Sequence, residues 1–347
     1  MRKIKQLCFL ATLILVTSWL ALLGGVQSSE TLPDIKSLPE LELKLVLDLA
    51  DHPDVGLPVV GRITPQGEFV FFDSRLRQVM IMSLDGQSIR TIGRFGEGPG
   101  EYQRVRDILV DADSILILDG RGLLIEYNRE GTLQHEMKLP FGCSKILGRS
   151  ENAFYLVGRS ASADEFFERV AIKWTEGAEA KTLCKMKAEL VRTMAYGDDG
   201  KKLQAGGLVS ASEPAFAFLG DRIAAAAGSH YLIQFFDLSG KERTVWKVEA
   251  LKPEFSGSLS GFFKDRAQAY AIREIFVLPD RLVVVGNFYR DGKPRLDCFN
   301  LQGKLTSSWL IPLADDPPSS HSSIEPGYLI YFSLEEGCRI YRILSRL

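Results

Sequence analysis

The sequence predicts an all-β chain folded as a six-bladed β-propeller, and three observations carry that prediction. Short β-rich runs recur in pairs joined by Gly-containing turns, the turn glycines fall at blade-like intervals, and an isolated strand near the N-terminus matches a strand missing at the C-terminus. Once a leader is set aside, the chain exceeds the roughly 250–300 residues at which a single hydrophobic core stops growing. That length calls for two domains or for a repeat that adds core unit by unit.

The leader comes first. Arg2, Lys3 and Lys5 form a basic head, Leu7 to Leu23 is a nearly unbroken apolar run, and Gly24 to Ser28 supplies small residues. This is the pattern of a signal peptide over residues 1–28, with cleavage expected after Ser28. The alternative is an uncleaved membrane anchor through residues 7–23. With cleavage, no stable membrane span is expected, and residues 29–347 form one exported domain, periplasmic or extracellular.

Charge narrows the partners. The chain carries 42 Lys plus Arg against 44 Asp plus Glu. The leader removes three basic residues, which leaves 39 against 44 and a net charge of −5. Basic residues are scattered singly rather than clustered, so nucleic acid is not an expected partner.

The repeat begins with Glu68 to Phe72, Val79 to Leu84, the Asp85-Gly86 turn and Ser88 to Ile92. Its second copy is Ser114 to Leu118, Leu124 to Asn128, Glu130-Gly131 and Leu133 to Leu139. Such pairs read as hairpins in series. Ala153 to Val157 with Arg169 to Trp174, Arg222 to Ala227 with Leu232 to Leu238, and Arg281 to Asn287 with Arg295 to Leu301 give units three to five. Turn glycines 86, 131 and 177 lie 45 and 46 residues apart, whereas 177, 240 and 303 are separated by 63 and 63. The first spacing is a bare four-stranded blade; the second is a blade plus an insertion. Two inter-blade insertions are therefore expected, a polar excursion at about 187–214 and a stretch at about 252–274 with a short helix around Gly261 to Glu274.

The last unit supplies only Tyr328 to Leu334 and Cys338 to Leu344. The missing outer strand is expected from Leu41 to Leu49, which alternates apolar and polar residues and has no other partner. Pairing it with the C-terminal strand closes the ring and removes an open edge.

After Cys8 leaves with the leader, Cys143, Cys184, Cys298 and Cys338 remain, too widely spaced for a metal knuckle or redox pair. Buried thiols and disulfides both fit this spacing, with the pairing open. No GxSxG elbow occurs, and the glycines of GEGPGEY are not followed by a helix that could cradle phosphate.

The segment Gly67 to Asp111, and above all GEGPGEY at Gly96 to Tyr102, resembles the repeat of NHL-type six-bladed propellers, especially secreted bacterial six-bladed β-propeller proteins. The Asp and Arg before the third strand of such repeats are matched by Asp73, Arg75 and Arg77, and again by Asp119 and Arg121. Blades three to six lack both the Asp/Arg pair and the Gly-Pro-Gly turn. The Gly-His and Trp-Asp signatures of WD40 blades are absent.

In such a ring the loops after the second and fourth strands share one rim around the channel. Asp73, Arg75, Arg94, Glu97, Glu101, Arg104, Asp119 and Arg121 are expected there, either as a charged mouth that binds a ligand or as the scaffolding that stitches blades together. The expected function is a binding or scaffolding module for a protein, peptide or glycan, without a cofactor. The resemblance also implies an alternative, a hydrolase or lyase with axial Ca or Zn, for which His52 and His230 are the candidate ligands. His135 is placed on an outer strand and His321 in a mobile polar loop.

Overall fold

The computed structural model describes residues 28–150, 152–159, 168–187, 190–196, 202–210, 214–227, 230–248, 272–313, 320–334 and 337–347. Six antiparallel sheets follow one another in the chain. Blade 1 is Pro58–Ile63, Glu68–Asp73, Gln78–Ser83 and Ile89–Ile92; blade 2 is Val105–Val110, Ser114–Asp119, Leu123–Asn128 and Leu133–Lys138. Blade 3 is Cys143–Ser150, Ala153–Arg159, Glu168–Trp174 and Lys181–Lys187; blade 4 is Ala215–Phe218, Arg222–Ala226, Leu232–Asp237 and Glu242–Val248. Blade 5 is Ile272–Leu278, Arg281–Arg290, Lys293–Asn300 and Leu305–Leu310. Blade 6 takes Ser320–Glu325, Tyr328–Ser333 and Gly337–Ile343 from the C-terminus and Leu43–Asp48 from the N-terminus.

Side-chain alternation explains why the second strands read as unbroken apolar runs. In Glu68–Asp73, Phe69 and Phe71 enter the core shared with blade 6, while Val70 and Phe72 enter the core shared with blade 2. A sheet buried on both faces has no polar side to display. The same division around the ring gives six hydrophobic clusters, one at each blade interface. The turn glycines 86, 131, 177, 240 and 303 all adopt positive φ, between 72° and 89°, which is why glycine marks the turn before each outer strand.

Closure follows the expected route and then extends it. Leu43–Asp48 pairs antiparallel with Gly337–Ile343, from Leu43 opposite Ile343 to Asp48 opposite Arg339. Upstream, Ser28–Glu30 adds a fifth, parallel strand to blade 4 beside Glu242–Val248. Between these strands the segment is strapped across blade 5: Arg295 donates to the Pro33 carbonyl at 2.7 Å, the Leu41 N–H donates to the Leu310 carbonyl and the Leu310 N–H to the Pro39 carbonyl, both at 2.8 Å. One N-terminal belt thus ties three blades together. Arg295 itself is fully buried against Asp297, which also accepts from the Tyr231 hydroxyl at 2.9 Å.

Two expectations are sharpened and one is corrected. The first insertion, expected as a polar excursion, contains a paired hairpin, Leu190–Tyr196 with Lys202–Ser210. Residues 272–274, expected to end a helix, instead start the inner strand Ile272–Leu278; Ile272, Ile275 and Leu278 are buried there, and residues 249–271 lie outside the described set. The four cysteines stand as unpaired thiols, with Cys184, Cys298 and Cys338 buried, so packing rather than disulfides accounts for them. Residues 1–27 of the expected leader also lie outside the described residues, among which no helix is long and apolar enough to cross a membrane.

Candidate functional site

The eight expected rim residues lie in or beside the connections that follow the second and fourth strands of blades 1 and 2, and the carboxylates among them hold those connections together. Asp73, at the end of its strand and fully buried, accepts from the backbone N–H groups of Gly56, Leu57, Arg75 and Leu76 at 2.5–3.0 Å. Asp119 repeats the arrangement one blade on, accepting from Gln103, Arg104 and Arg121 at 2.7–2.9 Å. Burial alone would raise the Asp119 carboxyl, but the bonds from Arg104, Arg121 and Gln103 outweigh it and hold the group below its ordinary range.

The Gly96 to Tyr102 turn is built the same way. Glu101 accepts from the Gly98 N–H at 2.8 Å and from Arg94, and these two partners keep it ionised below the usual range. Arg121 donates to the Glu101 carbonyl at 2.6 Å, and Gln103 donates to Glu97 at 2.7 Å. Arg104 lays its stem against Gly120. Tyr102, fully buried, anchors the loop by receiving the Val79 N–H and donating to the Ile92 carbonyl, both at 2.8 Å.

A second charged region lies inside the ring, on the inner strands, and the sequence reading did not single it out. Arg62 of blade 1 bridges Asp107 of blade 2 at 2.9 Å and Glu325 of blade 6 at 3.6 Å. Asp107 also accepts from the Ile146 N–H of blade 3 at 2.8 Å. Lys145 of blade 3 pairs with Glu274 of blade 5 at 2.7 Å, passing over blade 4, whose inner strand Ala215–Phe218 carries only Ala and Phe. Burial raises the Glu325 carboxyl to about 7 against the opposing pull of Arg62.

Above these pairs opens a cavity of about 400 Å³. Side chains from five blades line it, with five basic groups against two carboxylates among the described residues. Arg106, Arg159 and Arg169 join Arg62 and Lys145 on the basic side. A narrower chamber of about 290 Å³ continues below, sharing Arg62, Lys145 and Phe276 with the mouth. His321 is not in a mobile loop: it stands on the inner strand Ser320–Glu325, stacked on Phe332 with ring centroids 4.7 Å apart. Its edge meets the water of the channel, yet the enclosing walls, followed by the positive charge of Arg273, lower it to about 4.

The histidines proposed as metal ligands stand on different blades. His52 lies in the connection from blade 6 to blade 1, where its Nδ1 accepts from the Asp54 N–H at 3.3 Å. His230 is exposed between the second and third strands of blade 4. Among the described residues, no three His, Cys, Asp or Glu side chains converge as a metal site would require. His135 pairs with Glu176 on the outer surface, as its outer-strand position implied.

Residues 57–193, spanning blades 1 to 3 and the start of the first insertion, match the family described as 6-bladed beta-propeller. A solved structure of a candidate exported protein from Bacteroides fragilis NCTC 9343 is similar at a TM-score of 0.51 and 15% identity, covering 92% of this chain and 99% of that one. The chain is a six-bladed β-propeller. A virginiamycin B lyase from Staphylococcus aureus aligns with the propeller at a TM-score of 0.49 and 11% identity, over 88% of this chain and 100% of that one. No curated protein matches the propeller's sequence. At these identities the solved structures speak to the fold alone.

The channel residues left a faint trace in the sequence. Val105-Arg106-Asp107-Ile108-Leu109-Val110 and Ile272-Arg273-Glu274-Ile275-Phe276-Val277 are the same pattern on the inner strands of blades 2 and 5. In each, the acidic member of the basic-acidic pair, Asp107 or Glu274, lines the channel cavity.

Proposed function

We propose that the propeller is an exported binding module that captures its ligand, a protein, peptide or glycan group, at the channel mouth. The observation that carries this reading is the convergence of side chains from five blades on one cavity of about 400 Å³. Concave sites with a few convergent polar groups are where ligands bind, and a site assembled from five repeats exists only when the ring is complete. The eight rim residues enter the proposal as the frame of that mouth, since the same bonds that fix the loops fix its outline. Export is supported by the basic head and apolar run of residues 1–28.

The test is a glycan and peptide array probed with the wild-type chain and with an Arg106→Glu, Lys145→Glu variant. Ligands retained by the wild type should be lost by the variant while its circular dichroism stays the same. Retention that ignores both substitutions would move the binding site elsewhere. Export is checked separately by the mass of the N-terminus in cell-envelope protein, expected to begin near Ser29.

A further inference from the structure

The outer strands of two blades differ in what lies beside them. In blade 4, Glu242–Val248 has a neighbour, the parallel strand Ser28–Glu30 of the belt. In blade 1, Ile89–Ile92 is the last strand of its sheet among the described residues. The Ser83 N–H donates to the Ser88 carbonyl at 3.0 Å, and Ile89 and Thr91 then stand opposite Met82 and Met80. Hydrogen-bonded pairs alternate along an antiparallel ladder, so the N–H and C=O of Ile89 and Thr91 point away from the sheet. An unpaired edge of this kind is where an extended chain adds as a further strand.

A groove of about 540 Å³ takes in this edge at Ile89, Arg90 and Thr91 and runs to residues 53–56 of the connection from blade 6. Val55, Leu76, Met80 and Ile89 give it an apolar lining, and Leu76 is 44% exposed. Leu76 is there because the turn after the second strand is longer in blade 1 than in blade 2. It spans 74–77 between the paired Asp73 and Gln78, against 120–122 between the paired Asp119 and Leu123.

The arginine shared by the two turns is also used differently. In blade 2 the Arg121 guanidinium donates to Asp119 at 2.7 Å and to the Glu101 carbonyl at 2.6 Å. In blade 1 the exposed Arg75 lays its stem against Gly56 and lines the groove, with no ion pair to a described residue. Arg77, held at a φ of 58°, places its guanidinium 4.9 Å from the centre of the exposed Phe95 ring, again with no described carboxylate partner. Arg90 is paired with Glu68, and Asp54 is the one carboxylate of the described lining. The open edge thus borders an apolar groove with a positive excess, and its complement is an extended chain that carries carboxylates beside a large apolar side chain.

We infer that blade 1 carries a second binding site, beside its outer edge, for an acidic extended segment of a partner protein, which pairs with Ile89 and Thr91 as a fifth strand. An apolar side chain of that segment enters the groove against Met80 and Ile89, and its carboxylates meet Arg75 and Arg77. The site is separate from the channel mouth and does not depend on what the mouth binds.

The experiment is calorimetric titration of the full chain, at low salt, with a blocked octapeptide of Val, Thr and Glu. It should bind at least about tenfold more tightly than a counterpart with Lys in place of Glu, and than one N-methylated at alternate residues, the ordinary effect of losing a charge-assisted or a pair of backbone contacts. Arg75→Glu should weaken it by about tenfold. Thr91→Pro should do the same, since it blocks the outward N–H without removing a bond of the ladder. Neither substitution should change the circular dichroism. Peptides of this class are the exception to the loss expected of mouth ligands, and should keep their affinity in the Arg106→Glu, Lys145→Glu variant. No binding, equal affinity for the Lys or the N-methylated peptide, or full affinity in Arg75→Glu would each overturn the inference. Loss of the peptide in the mouth variant would overturn it too, and assign the peptide to the mouth. Sedimentation of the chain alone should show a monomer; a dimer abolished by Arg75→Glu would give the groove to a second copy and overturn the inference.

Discussion

The rim of blades 1 and 2 and the mouth of the channel are both charged, yet they spend their charge differently. On the rim, Asp73 and Asp119 each gather several backbone N–H groups, and Glu101 closes its own loop. In the mouth, charged groups from separate blades meet across an open cavity, and basic groups outnumber carboxylates among its described lining residues. A side chain that satisfies backbone donors is needed for the loop to exist at all. An exposed side chain that lines the cavity, such as Arg106, can be exchanged at little cost to the fold, and so is available for ligand.

That contrast is sharpest at Asp73. Replacing it with Ala leaves four N–H groups without their acceptor, and should cost about 2–4 kcal/mol in urea unfolding. A loss no larger than that of a surface substitution would mean the rim is not the frame.

The channel should show itself in the pH dependence of stability, through two opposed groups. Glu325 is raised to about 7, so its contribution is present below the ordinary Glu range and is lost as pH rises toward 7. His321 is lowered to about 4, so its contribution is present above about 6.5 and is lost as pH falls toward 4. The two slopes oppose each other between about pH 4.5 and 6.5. Substituting His321→Gln should expose a stability that declines with rising pH in that window, and Glu325→Gln a stability that climbs. Urea midpoints measured at half-unit pH steps decide it; identical profiles for both variants would remove these groups from the channel's ion-pair system.

Smaller still is the expected effect of Arg106→Gln or Arg94→Gln on stability, within about 0.5 kcal/mol for exposed positions. The thiols give the smallest signal. Burial raises Cys184 to about 12 and Cys298 to about 11, so neither should react with a thiol reagent at pH 8 until the protein unfolds. Rapid labelling of the native protein would show that these blades open locally.

The architecture was legible because its signals are local and repeated. A turn glycine in positive φ precedes the outer strand in each of blades 1 to 5, and an alternating strand without a neighbour in sequence, Leu43–Asp48, announces that the ring closes through the N-terminus. The belt over blade 5 was not legible, since Pro33 and Pro39 take part through carbonyl oxygens that any residue would supply. The rim residues stood out because loop scaffolding repeats from blade to blade. The mouth did not, because Arg62, Asp107, Lys145, Glu274 and Glu325 come from five strands far apart in the chain and meet only when the ring has formed. His321 was misplaced for a related reason: the polar stretch Ser320–Ser323 reads as loop, but an inner strand can carry polar residues where it faces the channel.

The most direct test of the account sets the two regions side by side. A ligand retained on the glycan and peptide array is titrated into the wild-type chain, Arg106→Gln and Arg94→Gln under identical conditions. The account predicts a loss of about tenfold for the mouth substitution and unchanged affinity for the rim substitution. Loss at Arg94 with full affinity at Arg106 would contradict it and place the ligand on the rim.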